Sequence, residues 1–164
     1  MKSFEDFLKD KEPVVMIMAG SDSDSPHIEK ITRELEHYEI PYQVRICSAH
    51  KEPSRLAQLI SDYNLFSGPI VYIAVAGGVD ALSGTLSFNS FYPVISCPPD
   101  APNDTCLRNP SGSSNAYIPN PKNVVKFIAQ MFSSIRPGLR NILMKDNMEK
   151  VRYLREADRK FGTG

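Results

Sequence analysis

Val14-Val15-Met16-Ile17-Met18-Ala19-Gly20-Ser21 is an uncharged apolar run that stops at a glycine and a serine. Its length and its β-branched residues suit a strand buried on both faces. Ile70-Val71-Tyr72-Ile73-Ala74-Val75 repeats the pattern and stops at Ala76-Gly77-Gly78. Tyr42-Gln43-Val44-Arg45-Ile46-Cys47 and Tyr92-Pro93-Val94-Ile95-Ser96-Cys97 read as two further strands, and Ala116-Tyr117-Ile118 as a short fifth. Helical spacing fills the gaps. Ile28, Ile31 and Leu35 recur behind Ser25-Pro26, a cap and a first-turn proline. Pro53 opens a helix carrying Leu56, Leu59 and Ile60, and a short helix runs through Leu82 and Leu86. Asn120-Pro121 starts another through Val124, Val125, Ile128, Ala129 and Phe132, and a last helix spans about Leu139 to Arg159.

Strands alternating with helices predict an α/β fold: a parallel sheet, helices on both faces, and a long C-terminal helix. At 164 residues the chain suits one domain, with a core over about 13–132 and the last helix over about 135–160. Nineteen Lys plus Arg balance nineteen Asp plus Glu, so no basic field draws it to nucleic acid. No apolar run is long enough to span a bilayer. The start, Met1-Lys2-Ser3-Phe4-Glu5-Asp6, does not read as a secretory signal. Cys47, Cys97 and Cys106 are odd in number and lack metal-ligand spacing. They suggest reduced thiols, a cytoplasmic protein, and neither a zinc site nor a disulfide scaffold.

In parallel sheets ligands bind beyond the carboxyl ends of the strands. Three polar loops should converge there: Gly20-Ser21-Asp22-Ser23-Asp24, Ser48-Ala49-His50-Lys51 and Ala76-Gly77-Gly78. Gly20 permits a tight turn, and Ser21, Ser23 and the helix start behind them suit a phosphate. The two aspartates oppose that reading, and a plain strand-to-helix turn would look the same. His50 can move a proton near neutral pH, with Lys51 as a fixed cation beside it. A surface histidine next to a solvated lysine is the equal alternative. Gly77-Gly78 permits close backbone approach to a ligand. Ser96-Cys97 could present N–H groups to an anion, and Arg108 and Ser111 sit on a long loop suited to covering substrate. His27 and His37 read as solvent-facing. Cys97 lacks an activating base nearby in sequence.

In this order the motifs resemble the PurE family of purine biosynthesis over about residues 14–132. Gly20-Ser21-Asp22-Ser23-Asp24, Ser48-Ala49-His50-Lys51 and Ala76-Gly77-Gly78 match its three signatures. Lys51, the lack of a second histidine at Ala81-Leu82-Ser83-Gly84, the Ser96-Cys97-Pro98-Pro99 strand end and Leu107-Arg108-Asn109-Pro110-Ser111-Gly112 are similar to its class II branch. The resemblance implies a three-layer flavodoxin-like domain and a homo-octamer, with the last helix packing on a neighbour through Leu139, Ile142, Leu143, Val151 and Leu154. It implies carboxylation of 5-aminoimidazole ribonucleotide by carbon dioxide, without cofactor or metal. The alternatives are the mutase reaction on the N5-carboxylated carbamate and a non-catalytic nucleotide-binding protein.

His50 would be the catalytic base. The substrate-binding set would be Gly20, Ser21, Ser23, Asp24, Ser48, Ala49, Lys51, Ala76, Gly77, Gly78, Ser96, Cys97, Arg108 and Ser111. In it, Ser21, Ser23, Ser48 and Lys51 take the phosphate, Asp24 the ribose or amine, and the Gly77-Gly78 and Ser96-Cys97 amides the carbon dioxide. Two departures stand out. Gly78-Val79-Asp80 replaces the family's polar triplet, and the Asp100–Thr105 loop is short. A carboxylate at Asp80 should therefore point outward or pair with a cation such as Arg108.

Overall fold

The computed structural model describes residues 3–162. Its elements are α1 (Phe4–Lys9), β1 (Val14–Ala19), α2 (Ser25–His37), β2 (Tyr42–Ile46), α3 (Pro53–Asn64), β3 (Ile70–Val75), α4 (Leu82–Asn89), β4 (Val94–Ser96), β5 (Ala116–Tyr117), α5 (Pro121–Phe132) and α6 (Gly138–Phe161). Short 3-10 turns cover Asp22–Asp24 and Thr105–Arg108. The chain divides into two compact units, Met1–Val125 and Lys126–Gly164.

The first unit holds a five-stranded, all-parallel sheet of order β2-β1-β3-β4-β5. Every residue of β1 and β3 is buried, as continuous apolar runs require. Side chains alternate between faces. Val14, Met16 and Met18 share one face with Ile70, Tyr72 and Ala74, and pack with Leu56, Ile60 and Tyr63 of α3 and Leu82 and Leu86 of α4. Chain direction explains this grouping. The step from β1 to β2 runs opposite to the later steps, so right-handed crossovers send α2 to the other face. Its Ile28, Ile31 and Leu35 are buried and lie outside that cluster.

Helix starts follow local chemistry, with two differences from the sequence reading. Ser25 is the first residue of α2 rather than its cap, and Asp24 holds the cap position. α1 was not foreseen. It is started by a reciprocal pair, Ser3 Oγ accepting from Asp6 N–H and the Asp6 carboxylate from Ser3 N–H. The Ser3-x-x-Asp6 spacing was its one local signal. Asn120 does cap α5, its Oδ1 accepting from the Lys122 and Asn123 N–H groups.

Asp80 overturns an expectation. It neither faces outward nor meets Arg108, which lies 3.6 Å from Asp104 instead. Asp80 is 6% exposed. Its carboxylate accepts from the Ser83 N–H of α4's first turn at 2.8 Å and from the Ser96 hydroxyl at 3.4 Å. A helix N-terminus favours negative charge, and these donors compensate its burial. Asp80 thus anchors α4 to the end of β4. Asp80→Ala should cost about 1–2 kcal/mol by removing this cap. Chemical denaturation checks it, and an unchanged unfolding midpoint would show that the contact carries no stability.

Candidate active site

The sheet gathers its loops at one edge. Gly20 N–H donates to the Val75 carbonyl, and Cys47 N–H to the Ala19 carbonyl. The ladder thus extends one step beyond β1 and β2 and fixes where the turns begin. A cleft of about 270 Å³ opens there, lined by Gly20, Ser21, Ser23, Asp24, Ser48, Ala49, His50, Ala76, Gly77, Val79, Ala81 and Leu82. It lies where strand order reverses, beyond the carboxyl ends of β1 and β3. A larger groove of about 900 Å³ follows α6 from Met144 to Arg159, but one helix alone lines it. The smaller cleft is the better candidate because three sequence-distant polar loops meet in it.

Within the cleft, Ser21 Oγ accepts from the Ser23 N–H at 3.2 Å and from the Ser23 hydroxyl at 2.8 Å. Ser48 Oγ accepts from the Lys51 N–H at 3.3 Å, which curls the Ser48–Lys51 loop. His50 is exposed at the rim. Burial raises the Asp24 carboxyl above its ordinary value; His27 opposes this, while Asp100 and Asp22 add to it.

The structure brings together His50, Gly20, Ser21, Ser23, Asp24, Ser48, Ala49, Ala76 and Gly77. Six expected residues lie outside the lining. Lys51 is exposed next to it. The Gly78 N–H donates to the Asp100 carboxylate at 2.8 Å, so that amide is engaged. The Cys97 N–H donates to the Ala74 carbonyl at 2.9 Å. Ser96 and Cys97 are fully buried, and Ser96 Oγ accepts from Asn115 while donating to Asp80. Arg108 is on the surface, and Ser111 lines a neighbouring hollow beside Gly84 and Phe88. The anion-holding role expected of the Gly78 and Cys97 amides therefore does not match their hydrogen bonds, and Ser96 is buried outside the cleft lining. Burial pushes the Cys97 thiol up to about 12, which removes it as a nucleophile near neutrality.

His27 is not solvent-facing, contrary to the sequence reading. It is half-buried, with Nε2 3.1 Å from the Cys97 carbonyl oxygen and 3.4 Å from its Sγ. A carbonyl only accepts, so Nε2 carries the hydrogen. The ring ties the first turn of α2 to the end of β4. The missed signal was its i, i+4 relation to buried Ile31. Val79, Ala81 and Leu82 also escaped the sequence reading, because apolar lining carries no motif.

Comparison with known proteins bears on the same residues. The family model described as AIR carboxylase matches residues 14–151. A phosphoribosylaminoimidazole carboxylase of Treponema denticola is 39% identical over 150 residues, covering 85% of this chain and 93% of that protein. The human bifunctional phosphoribosylaminoimidazole carboxylase/phosphoribosylaminoimidazole succinocarboxamide synthetase is 34% identical over 153 residues, covering 90% of this chain and 36% of that protein. This chain thus spans about a third of that relative's length. The crystal structure of Treponema denticola PurE superposes with a TM-score of 0.86 at 33% identity, covering 91% of this chain and 98% of that one.

Burial holds the His27 imidazole below its ordinary value, against the Cys97 carbonyl and Asp24, with Lys30 adding to the depression. Unfolding releases that constraint, so the unfolded chain binds the proton more readily. His27 should therefore make stability fall as pH drops through about 6.5, the unfolded histidine value. Denaturation between pH 5 and 8 checks this (both limits approximate). The slope should flatten in His27→Gln, and an unchanged slope would contradict it.

Proposed function

From the premise that this chain belongs to the AIR carboxylase family, we propose that it carboxylates 5-aminoimidazole ribonucleotide with carbon dioxide, reversibly, in purine biosynthesis. One observation carries the reading: His50, the paired serines Ser21 and Ser23, and Ser48 line a single cleft at the strand ends.

The roles follow from the chemistry of each group. The phosphate sits against Ser21, Ser23 and Ser48, with the Lys51 ammonium as counter-charge at the rim. Asp24 takes the ribose hydroxyls or the ring amine as acceptor. The aminoimidazole ring is electron-rich, and its carbon 4 attacks carbon dioxide to form the carbon–carbon bond. That carbon then bears one proton too many. His50 removes it and restores aromaticity; in reverse, His50 protonates carbon 4 and carbon dioxide leaves. Carbon dioxide enters on the Gly77 side. Ala76, Val79, Ala81 and Leu82 add apolar wall there, which limits water around the developing carboxylate.

The placement of Asp80 suits formation of a carboxylate in the cleft, by the direct or the carbamate route alike. Two unit charges 4 Å apart repel by about 4 kcal/mol at an effective dielectric near 20. Asp80 lies outside the lining and spends its acceptors on Ser83 and Ser96.

We further propose a homo-octamer without nucleic-acid or membrane partners, in the cytoplasm. Among the described residues no helix is long and apolar enough to cross a membrane. On α6, Met144, Met148, Val151 and Leu154 are exposed, an apolar surface suited to a neighbouring copy. Leu139 is instead buried within the chain, and Ile142 and Leu143 are half-buried.

His50→Ala should lower turnover by about 10²–10⁴-fold, the usual contribution of a general acid–base group, and leave nucleotide affinity nearly unchanged. Decarboxylation of the 4-carboxylate product, followed alongside calorimetric nucleotide binding, checks this. Turnover like that of the unsubstituted protein would remove His50 from the mechanism.

A further inference from the structure

The glycine turn after β3 is held by a loop that the catalytic assignment does not use. Gly78 adopts a positive φ of 66°, and no side chain of its own restrains it. Its two backbone polar groups are gripped from one segment. The N–H donates to Asp100 Oδ2 at 2.8 Å. The carbonyl accepts from Asn103 Nδ2 at 2.7 Å, and the Thr105 hydroxyl lies 3.1 Å from it. Asn103 Nδ2 also bonds the Asp100 carboxylate, at 3.0 and 3.2 Å to its two oxygens. Thr105 Oγ1 accepts the Asp80 N–H at 3.1 Å, extending the grip to the residue that caps α4. Asp100 also backs the neighbouring Gly77, where an added Cβ would stand 3.4 Å from Oδ2. Gly77 lines the cleft and Gly78 does not.

We infer that Asp100 is a positioning residue for carboxylation: with Asn103 and Thr105 it sets the backbone of the Gly77–Gly78 turn, and so the wall at the carbon dioxide end of the cleft. The clamp joins the Gly78-Val79-Asp80 turn to the Asp100–Thr105 loop. The turn has no polar side chain at Gly77 or Gly78, and an external carboxylate and amide hold it. The electrostatics agree. Burial would raise the Asp100 carboxyl, but the Gly78 N–H and Asn103 amide outweigh it and hold the group below its ordinary value. The inference rests on the carboxylase reading for its choice of reaction and for which end of the substrate meets Gly77.

The test compares Asp100→Ala with Asp100→Asn. Asparagine keeps an oxygen acceptor for the Gly78 N–H and removes the charge. Misplacing a reacting group by about 1 Å can cost about 10²-fold. Asp100→Ala should therefore lower carboxylation turnover at saturating nucleotide by at least about tenfold, with the nucleotide KM within about twofold. Asp100→Asn should recover most of that loss. Amide hydrogen exchange over residues 76–80 should speed up in the alanine variant and stay slow in the asparagine variant. Asn103→Ala, which leaves Thr105 on the Gly78 carbonyl, should show a smaller loss of the same kind and serves if Asp100→Ala fails to fold. Alanine-variant turnover like the parent's, a defect confined to nucleotide KM, or an asparagine variant as impaired as alanine would overturn the proposal. A parent protein that turns over no aminoimidazole ribonucleotide would fail the carboxylase reading separately. The clamp itself would then stand on slow exchange over residues 76–80 that Asp100→Ala abolishes, and fall if exchange did not change.

Discussion

The parallel pairing of β1 with β3 is the contact on which the site depends. Six residue pairs, from Val14 with Ile70 to Ala19 with Val75, set the register, and the Gly20 N–H continues it onto Val75. That register brings Gly20-Ser21 beside Ala76-Gly77. Because β2 pairs on the other side of β1, the Ser48-Ala49-His50 loop arrives from the opposite flank. A slip of one residue would turn every β1 side chain to the opposite face. Apolar burial on both faces therefore fixes the site's geometry as well as its stability.

The polar groups near this junction divide into two sets. Ser21, Ser23, Asp24, Ser48 and His50 face the cleft. Asp80, Ser96, Asn115 and Asn109 bond one another and the α4 region behind it. The second set holds the frame. Asn109 presses so closely on α4 that a Cβ on Gly84 would stand 2.6 Å from its side-chain oxygen. A side chain at Gly84 would push Asn109 from its bonds to Ser83 and Asn115. His27 does the same work from α2, tying it to the Cys97 carbonyl.

Much of this was legible in the sequence. The runs 14–19 and 70–75 gave both central strands to the residue, because each is six residues long, rich in β-branched residues and stopped by glycine, which a buried helix would not be. The loops carrying Gly20, Ser48 and Gly77 could be placed at one edge because parallel strands end together. Most of what escaped was set by tertiary partners. Asp80 stands just ahead of α4, a local capping signal that the sequence reading passed over, and only its second partner, the Ser96 hydroxyl sixteen positions away, is set by the tertiary fold. His27 reads as a helix-surface residue until β4 is placed beside it. The engagement of the Gly78 amide by Asp100 depends on a loop fold that no periodicity encodes.

The central claim is that this cleft joins free carbon dioxide to carbon 4 of the aminoimidazole ribonucleotide. Incubating the unsubstituted protein with labelled carbon dioxide and the unlabelled 4-carboxylate, without ATP, tests it most directly. The account predicts label in the 4-carboxylate at a rate matching decarboxylation. No exchange, together with efficient conversion of the N5-carboxylated carbamate, would contradict it.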